Sequence, residues 1–136
     1  IDRTVREEVK EGIKLAEVAT NGVALEQRNS GSVPLDNQSA KIPPSNKIVS
    51  RLVSDTAVVA GAVVITFGNN AHYVIRGKKL VLRPAIVDGY SQVPVSWLCN
   101  TAPVPKNMIV LGVNTTDIEE KYLPLECRNI GVKTES

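Results

Sequence analysis

Aromatic side chains make up only 4% of the 136 residues, with one Trp and one Phe, so the interior must be assembled from Val, Ile, Leu and Ala. The Val and Ile weighting favours strands over helices through most of the chain. There is a single histidine, His72, so a Ser-His-Asp or Cys-His site would have no other imidazole to use. It stands in "NNAHYVIRG" beside a turn, the setting of an exposed or backbone-bonded ring. The two cysteines are not spaced C-x-x-C, and one His does not complete a zinc set with them. Glu7, Glu8 and Glu11 share one amphipathic stretch with no second acid held opposite, which makes them a solvated face. "RGKK" at 76–79 lacks the glycine spacing of a phosphate loop. No catalytic residue, metal or cofactor is expected, and the chain reads as a non-enzyme. An apolar run of ~18 residues and a signal-peptide pattern are both missing, so the chain as given reads as soluble. Its net charge of +2 is too small to argue nucleic-acid binding from totals.

What is present predicts one α+β domain over 1–136, with 43% hydrophobic residues supplying an ordinary core. Val5, Val9, Ile13, Ala16, Thr20 and Val23 recur every three or four residues, which predicts a long amphipathic helix over 3–28. Arg3–Glu7 and Glu11–Lys14 have the spacing to pair on its other faces, and Asp2 or Thr4 could cap its start. Residues 29–45 cluster Ser, Asn, Gly and Pro and predict a connecting loop. From 46 to 99 the pattern becomes β. "KIVSRLVSD", "TAVVAGAVVITFG", "KKLVLRPAIV" and "VPVSWLCN" predict a four-stranded antiparallel sheet on which the helix lies. Gly61 and Pro84 are expected at a bulge or an edge.

Cys99 closes the last strand, and Cys127 follows "KYLPLE" close to the C-terminus. Two free thiols or one structural disulfide are both open. The disulfide is preferred because residues 100–126 carry three prolines and only short periodic stretches. A bridge of this span would stabilise by roughly 3–4 kcal/mol in the chain-entropy model and implies an oxidising compartment. Thr116 and Glu119 have T-x-x-E spacing and predict a capping box for one turn. The cluster Arg76, Lys78, Lys79 and Arg83 reads as edge-strand gatekeeping in preference to a phosphate-binding stripe. Asn114-Thr115-Thr116 fits the N-x-T glycosylation pattern, which recurs often by chance. Residues 128–136 are expected to be a mobile tail.

Four stretches, "VREEVKEGIKLAEVAT", "IRGKKLVLRP", "VSWLCN" and "KYLPLEC", resemble in order a type IVa major pilin of Gram-negative bacteria. The W-x-C and Y-L-P-x-x-C pair carries the likeness most specifically. Such pilins begin with a conspicuous apolar helix that is missing here, so the chain reads as an N-terminally truncated, soluble form. The resemblance implies a structural subunit of a retractable surface fibre serving adhesion, twitching motility and DNA uptake. The alternative is a minor pilin acting as a binding module at the fibre tip. Implied partners are other copies in a helical fibre, the pilus assembly machinery, host-cell receptors, abiotic surfaces or DNA. The inner membrane is implied as a partner through the missing helix, before assembly places the subunit in the extracellular fibre. The disulfide-closed region 99–127 is the expected recognition surface, with Lys106, Asn107, Asn114, Thr115 and Thr116 supplying polar groups. Ser136 stands where some pilins carry an O-linked glycan.

Overall fold

The N-terminal periodicity becomes two helices end to end, α1 (Asp2–Leu15) and α2 (Glu17–Ser30), in a computed structural model that describes residues 1–128. They meet at Ala16, whose φ/ψ of −64°/−10° stays right-handed helical. The expected helix over 3–28 is therefore divided by one residue rather than broken. Ala19 donates back only three residues, to the Ala16 carbonyl at 2.9 Å, a local tightening of the turn. Neither Asp2 nor Thr4 caps the start, where Ile1 takes the cap position with no side-chain bond. Gly31, at φ +83°, closes α2 in the left-handed conformation that glycine adopts without strain.

Val5, Val9, Ala16 and Val23 are wholly buried and Thr20 nearly so, whereas Ile13 is only half-buried. The deepest contact at that level belongs to Gly12. A Cβ there would lie 2.5 Å from Phe67 Cε1, so the ring rests on bare helix backbone. The charge pairs also differ from those the spacing suggested. Glu7 meets Lys10 at 3.3 Å and Glu11 meets Arg51 of the sheet side at 3.3 Å.

Strands β1 (Val53–Val59), β2 (Ala62–Phe67), β3 (Lys79–Ile86) and β4 (Ser96–Cys99) form an antiparallel sheet in that order, and a short β5 (Ile109–Val110) pairs with β3. This is the α+β arrangement the sequence predicted, with its strand limits moved. Residues 47–52 form no strand, because Ser50 Oγ accepts the Leu52 and Val53 amides and turns the chain there. The single apolar run from Thr56 is a hairpin. Ala60 and Gly61, at φ +50° and +86°, make the two-residue turn that suits the strand twist. Gly61 is thus a turn residue, and the register shift lies between Val53 and Asp55 instead. Pro84 sits inside β3, where its neighbour on one side changes from β2, whose pairing ends at Leu82, to β5, whose pairing begins at Ala85. The ladder is interrupted there, so a residue without an N–H fits.

The core lies between the helices and one face of the sheet, built from Val53, Val63, Ile65, Phe67, Leu80 and Leu82 against the helical stripe. Residues 31–47 cross the free edge of β1. Asp36 and Ser39 cap one turn reciprocally: the Ser39 amide donates to Asp36 Oδ1 at 2.8 Å, and Ser39 Oγ accepts the Asp36 amide at 3.2 Å. That turn presents Asn37 to the strand edge. Its Oδ1 accepts the Val58 amide at 2.7 Å, and its Nδ2 donates to the carbonyls of Thr56 (3.2 Å) and Pro43 (2.9 Å). One side-chain amide therefore occupies the edge as a neighbouring strand would. The same Ser39 amide, followed by its hydroxyl, holds the Asp36 carboxyl below its ordinary range.

Candidate interaction surface

Cys99 and Cys127 are joined, with Cα atoms 4.6 Å apart. Both belong to the helix-side core, Cys127 wholly buried and Cys99 nearly so. Trp97, two residues before Cys99 and so on the same strand face, packs against that core. Between the cysteines the chain is bound along β3 rather than left as a loop held by its staple. β5 pairs with Ala85 and Ile86, and the Leu111 amide donates to the Pro84 carbonyl at 2.9 Å. Gly112 follows at φ +88°, where a Cβ would meet Ala62 Cβ at 2.7 Å. The segment thus presses on the outer sheet face, where Ala62, Val81, Ala85 and Leu98 are buried. It then reaches the other edge of β3. The Val81 amide donates to Thr116 Oγ1 at 3.0 Å, and Asp117 exchanges bonds with Lys79 through Oδ1 and its own amide.

Asn100 is the centre of this arrangement. It is buried, at φ +55°, a conformation asparagine tolerates better than most residues. Its Nδ2 donates to the Cys127 carbonyl at 3.0 Å, and its Oδ1 accepts Asn114 Nδ2 at 2.9 Å. Asn114 Oδ1 in turn accepts the Thr116 hydroxyl at 2.6 Å. A chain of bonds thus runs from the disulfide through Asn100, Asn114 and Thr116 to β3. Thr116 caps nothing: the short 3-10 turn at Glu120–Tyr122 begins at Glu119 without a side-chain bond.

The five polar residues expected to form one recognition surface are consequently divided. Asn114 and Thr116 are half-buried and engaged in the network. Lys106 and Asn107 are exposed on a separate turn, closed by the Met108 amide on the Pro105 carbonyl. Thr115 is exposed and lines a depression of about 330 Å³ on the outer sheet face with Val59, Val64, Val113 and Lys79. Half-burial and the bond to Asn100 also make Asn114 a poor glycan acceptor. Ser136 lies outside the described residues.

The basic cluster is divided as well. Arg83 is half-buried on β3, donating to the Asn100 carbonyl at 3.2 Å, while Arg76, Lys78 and Lys79 are exposed around the turn before β3. Tyr73 is exposed there and stacked on His72 at 4.6 Å. The His72 amide donates to Glu8 on α1 at 2.8 Å, and its Nδ1 accepts the Val74 amide. That turn is therefore tied to the helix through its backbone. Neither the Asn100 hub nor the Asn37 plug was anticipated. The D-x-x-S spacing at 36–39 was the one signal for the second.

A family model described as pilin, a bacterial filament, matches residues 5–128. The chain belongs to the pilin family. It is 34% identical over 135 residues to the type IV major pilin protein PilE of Neisseria gonorrhoeae, across 94% of this chain and 78% of that protein. A fimbrial protein of Neisseria meningitidis serogroup A is 33% identical over 138 residues with the same coverage. The match makes this a type IV pilin, a member of a structural, non-enzymatic family, and supports a pilus structural subunit. The family match covers α1 from Val5 onward, α2, strands β1 to β5 and both cysteines, so the disulfide-bounded wrap and the edge plug are features of this pilin's head.

Proposed function

We propose that this pilin is the major, repeating subunit of a retractable surface fibre, working in adhesion, twitching motility and DNA uptake. The observation that carries the reading is the likeness to proteins named as type IV major pilins across 94% of the chain. The His72 ring is stacked on Tyr73, and its Nδ1 accepts the Val74 amide. In this reading the subunit passes through the inner membrane, anchored by a helix preceding Ile1, before the assembly machinery adds it to the fibre. Surface contact with host receptors or abiotic surfaces falls to the exposed turn at Lys106 and Asn107 and to Thr115. DNA contact falls to the exposed Arg76, Lys78 and Lys79, the phosphate-binding alternative to gatekeeping. Mass spectrometry of fibres sheared from the producing bacterium tests the reading. The chain is expected as the dominant component. Presence at a small fraction of another pilin would instead assign it to the tip, as a minor pilin with a binding role.

A further inference from the structure

Leu35 and Trp97 stand at opposite edges of the sheet, and each lies beside a charge of opposite sign. Leu35 is 70% exposed, although its backbone is fixed: its carbonyl accepts the Ala60 amide at 2.9 Å at the end of β1. Buried Pro34 precedes it, and the Asp36–Ser39 capped turn follows it. It is a rigid apolar knob with the exposed Asp36 carboxylate next to it. At the other edge, Trp97 of β4 lines a depression of about 410 Å³ with Val93, Pro94 and Leu25 of α2. Leu25 is 60% and Val93 37% exposed. Arg28 lies on the rim, its carbonyl accepting Ser91 Oγ at 3.4 Å. In one molecule the knob and the depression cannot meet. Asp36 shares its own hollow with Glu26 and Ser30, whereas Arg28 shares the other with Asn21 and Trp97, on the opposite flank of α2.

We propose that Leu35 of one copy seats in the Trp97 depression of the next, with Asp36 of the first paired to Arg28 of the second. The inference rests on the fibre-subunit reading and names the residues that would join neighbouring heads. Knob and socket are different surfaces, so the contact is head-to-tail and propagates instead of closing into a dimer. A Trp in a partly dry hollow is the usual centre of binding energy, and a knob held rigid before contact has little ordering cost. The flanking charges set register and reject the reversed orientation, in which Arg28 would face Arg28.

The test uses the full-length subunit in a pilus-producing bacterium. The pilin's own two cysteines are bonded to each other, so a Leu35→Cys, Val93→Cys double variant adds the only new thiols. Mild oxidation of its sheared fibres should give a ladder of covalent oligomers extending past the dimer, absent from either single variant. Arg28→Glu and Asp36→Arg should each lower sheared-fibre yield by about tenfold, and the combined charge swap should restore most of it. No ladder, or one that stops at the dimer, overturns the contact, as does wild-type fibre yield from both single charge reversals. In each of those cases fibres of the unaltered subunit keep the fibre reading intact. Absence of the unaltered chain from fibres removes the reading itself, and the contact with it.

Discussion

Removing the Asn37 side chain would strip the Val58 amide of its acceptor and the Thr56 carbonyl of a donor together. Both residues are buried, so water does not readily replace the lost partner. Each unsatisfied group costs about 1–3 kcal/mol. Asn37→Ala should therefore lower unfolding stability by about 3 kcal/mol in urea titration; a loss under about 0.5 kcal/mol would mean that the edge is satisfied without it. Asp36 makes a pH-dependent contribution of known sign. Its folded pKa is depressed, first by the Ser39 amide, so its stabilisation is complete above the ordinary value of 3.8 and is lost as pH falls through the folded value. The stability difference between wild type and Asp36→Asn should be constant from about pH 8 to 5 and change only in the acid range below. A difference that drifts near neutrality would point to another group. Neither residue stood out in the sequence, because composition marks 29–45 as loop and says nothing of which side chain meets a strand edge. The spacing rule that failed at Thr116 and Glu119 would have succeeded in its D-x-x-S form at Asp36 and Ser39.

At the scale of elements, the disulfide and the β3 ladder hold the same segment by different means. A bridge between residues 28 apart in sequence stabilises chiefly by restricting the unfolded chain, and its loss should cost about 3–4 kcal/mol. The hydrogen bonds of Leu111, Thr116 and Asp117 to β3 do not depend on the sulfur atoms. In a Cys99→Ser, Cys127→Ser variant, hydrogen exchange at the Leu111, Val81 and Asp117 amides should thus stay slow while the protein is folded. Exchange there as fast as at exposed residues 104 and 106 would mean the staple alone holds the segment. The helix stripe, the order of the strands and the cysteines at the sheet end were legible, because periodicity and turn residues report local geometry. The strand limits were not. Ala60-Gly61 is a weak turn signal, and it sits inside an unbroken apolar run that gives no period to cut. β5 is only two residues long and exists because β3 offers it an edge, a tertiary cause that no local window contains.

For the whole molecule, region 99–127 has two parts with different duties. Residues 101–107 are mostly exposed and bonded only locally, through Ala102 to Cys99 and Met108 to Pro105. Residues 108–127 carry β5, Gly112 against Ala62, the Asn114–Thr116 links, and Ile118, Tyr122 and Leu123 of the core. The sequence marked this stretch as a stapled loop because its prolines and short apolar runs hide a path that crosses both edges of β3. Exchanging all of 100–120 for a neutral linker would therefore remove Asn100, β5 and the cover of the outer sheet face at once. The expected outcome is loss of the folded head, visible as a missing cooperative transition, and it would say nothing about recognition. Exchanging only 101–107 should leave the thermal transition within a few degrees of wild type, since surface changes away from packed contacts are usually within about 0.5 kcal/mol. If fibres of that variant form at wild-type yield and bind surfaces less well, the turn carrying Lys106 and Asn107 is the recognition element. If binding is unchanged, recognition moves to Thr115 and the outer sheet face, the other exposed part of the predicted set.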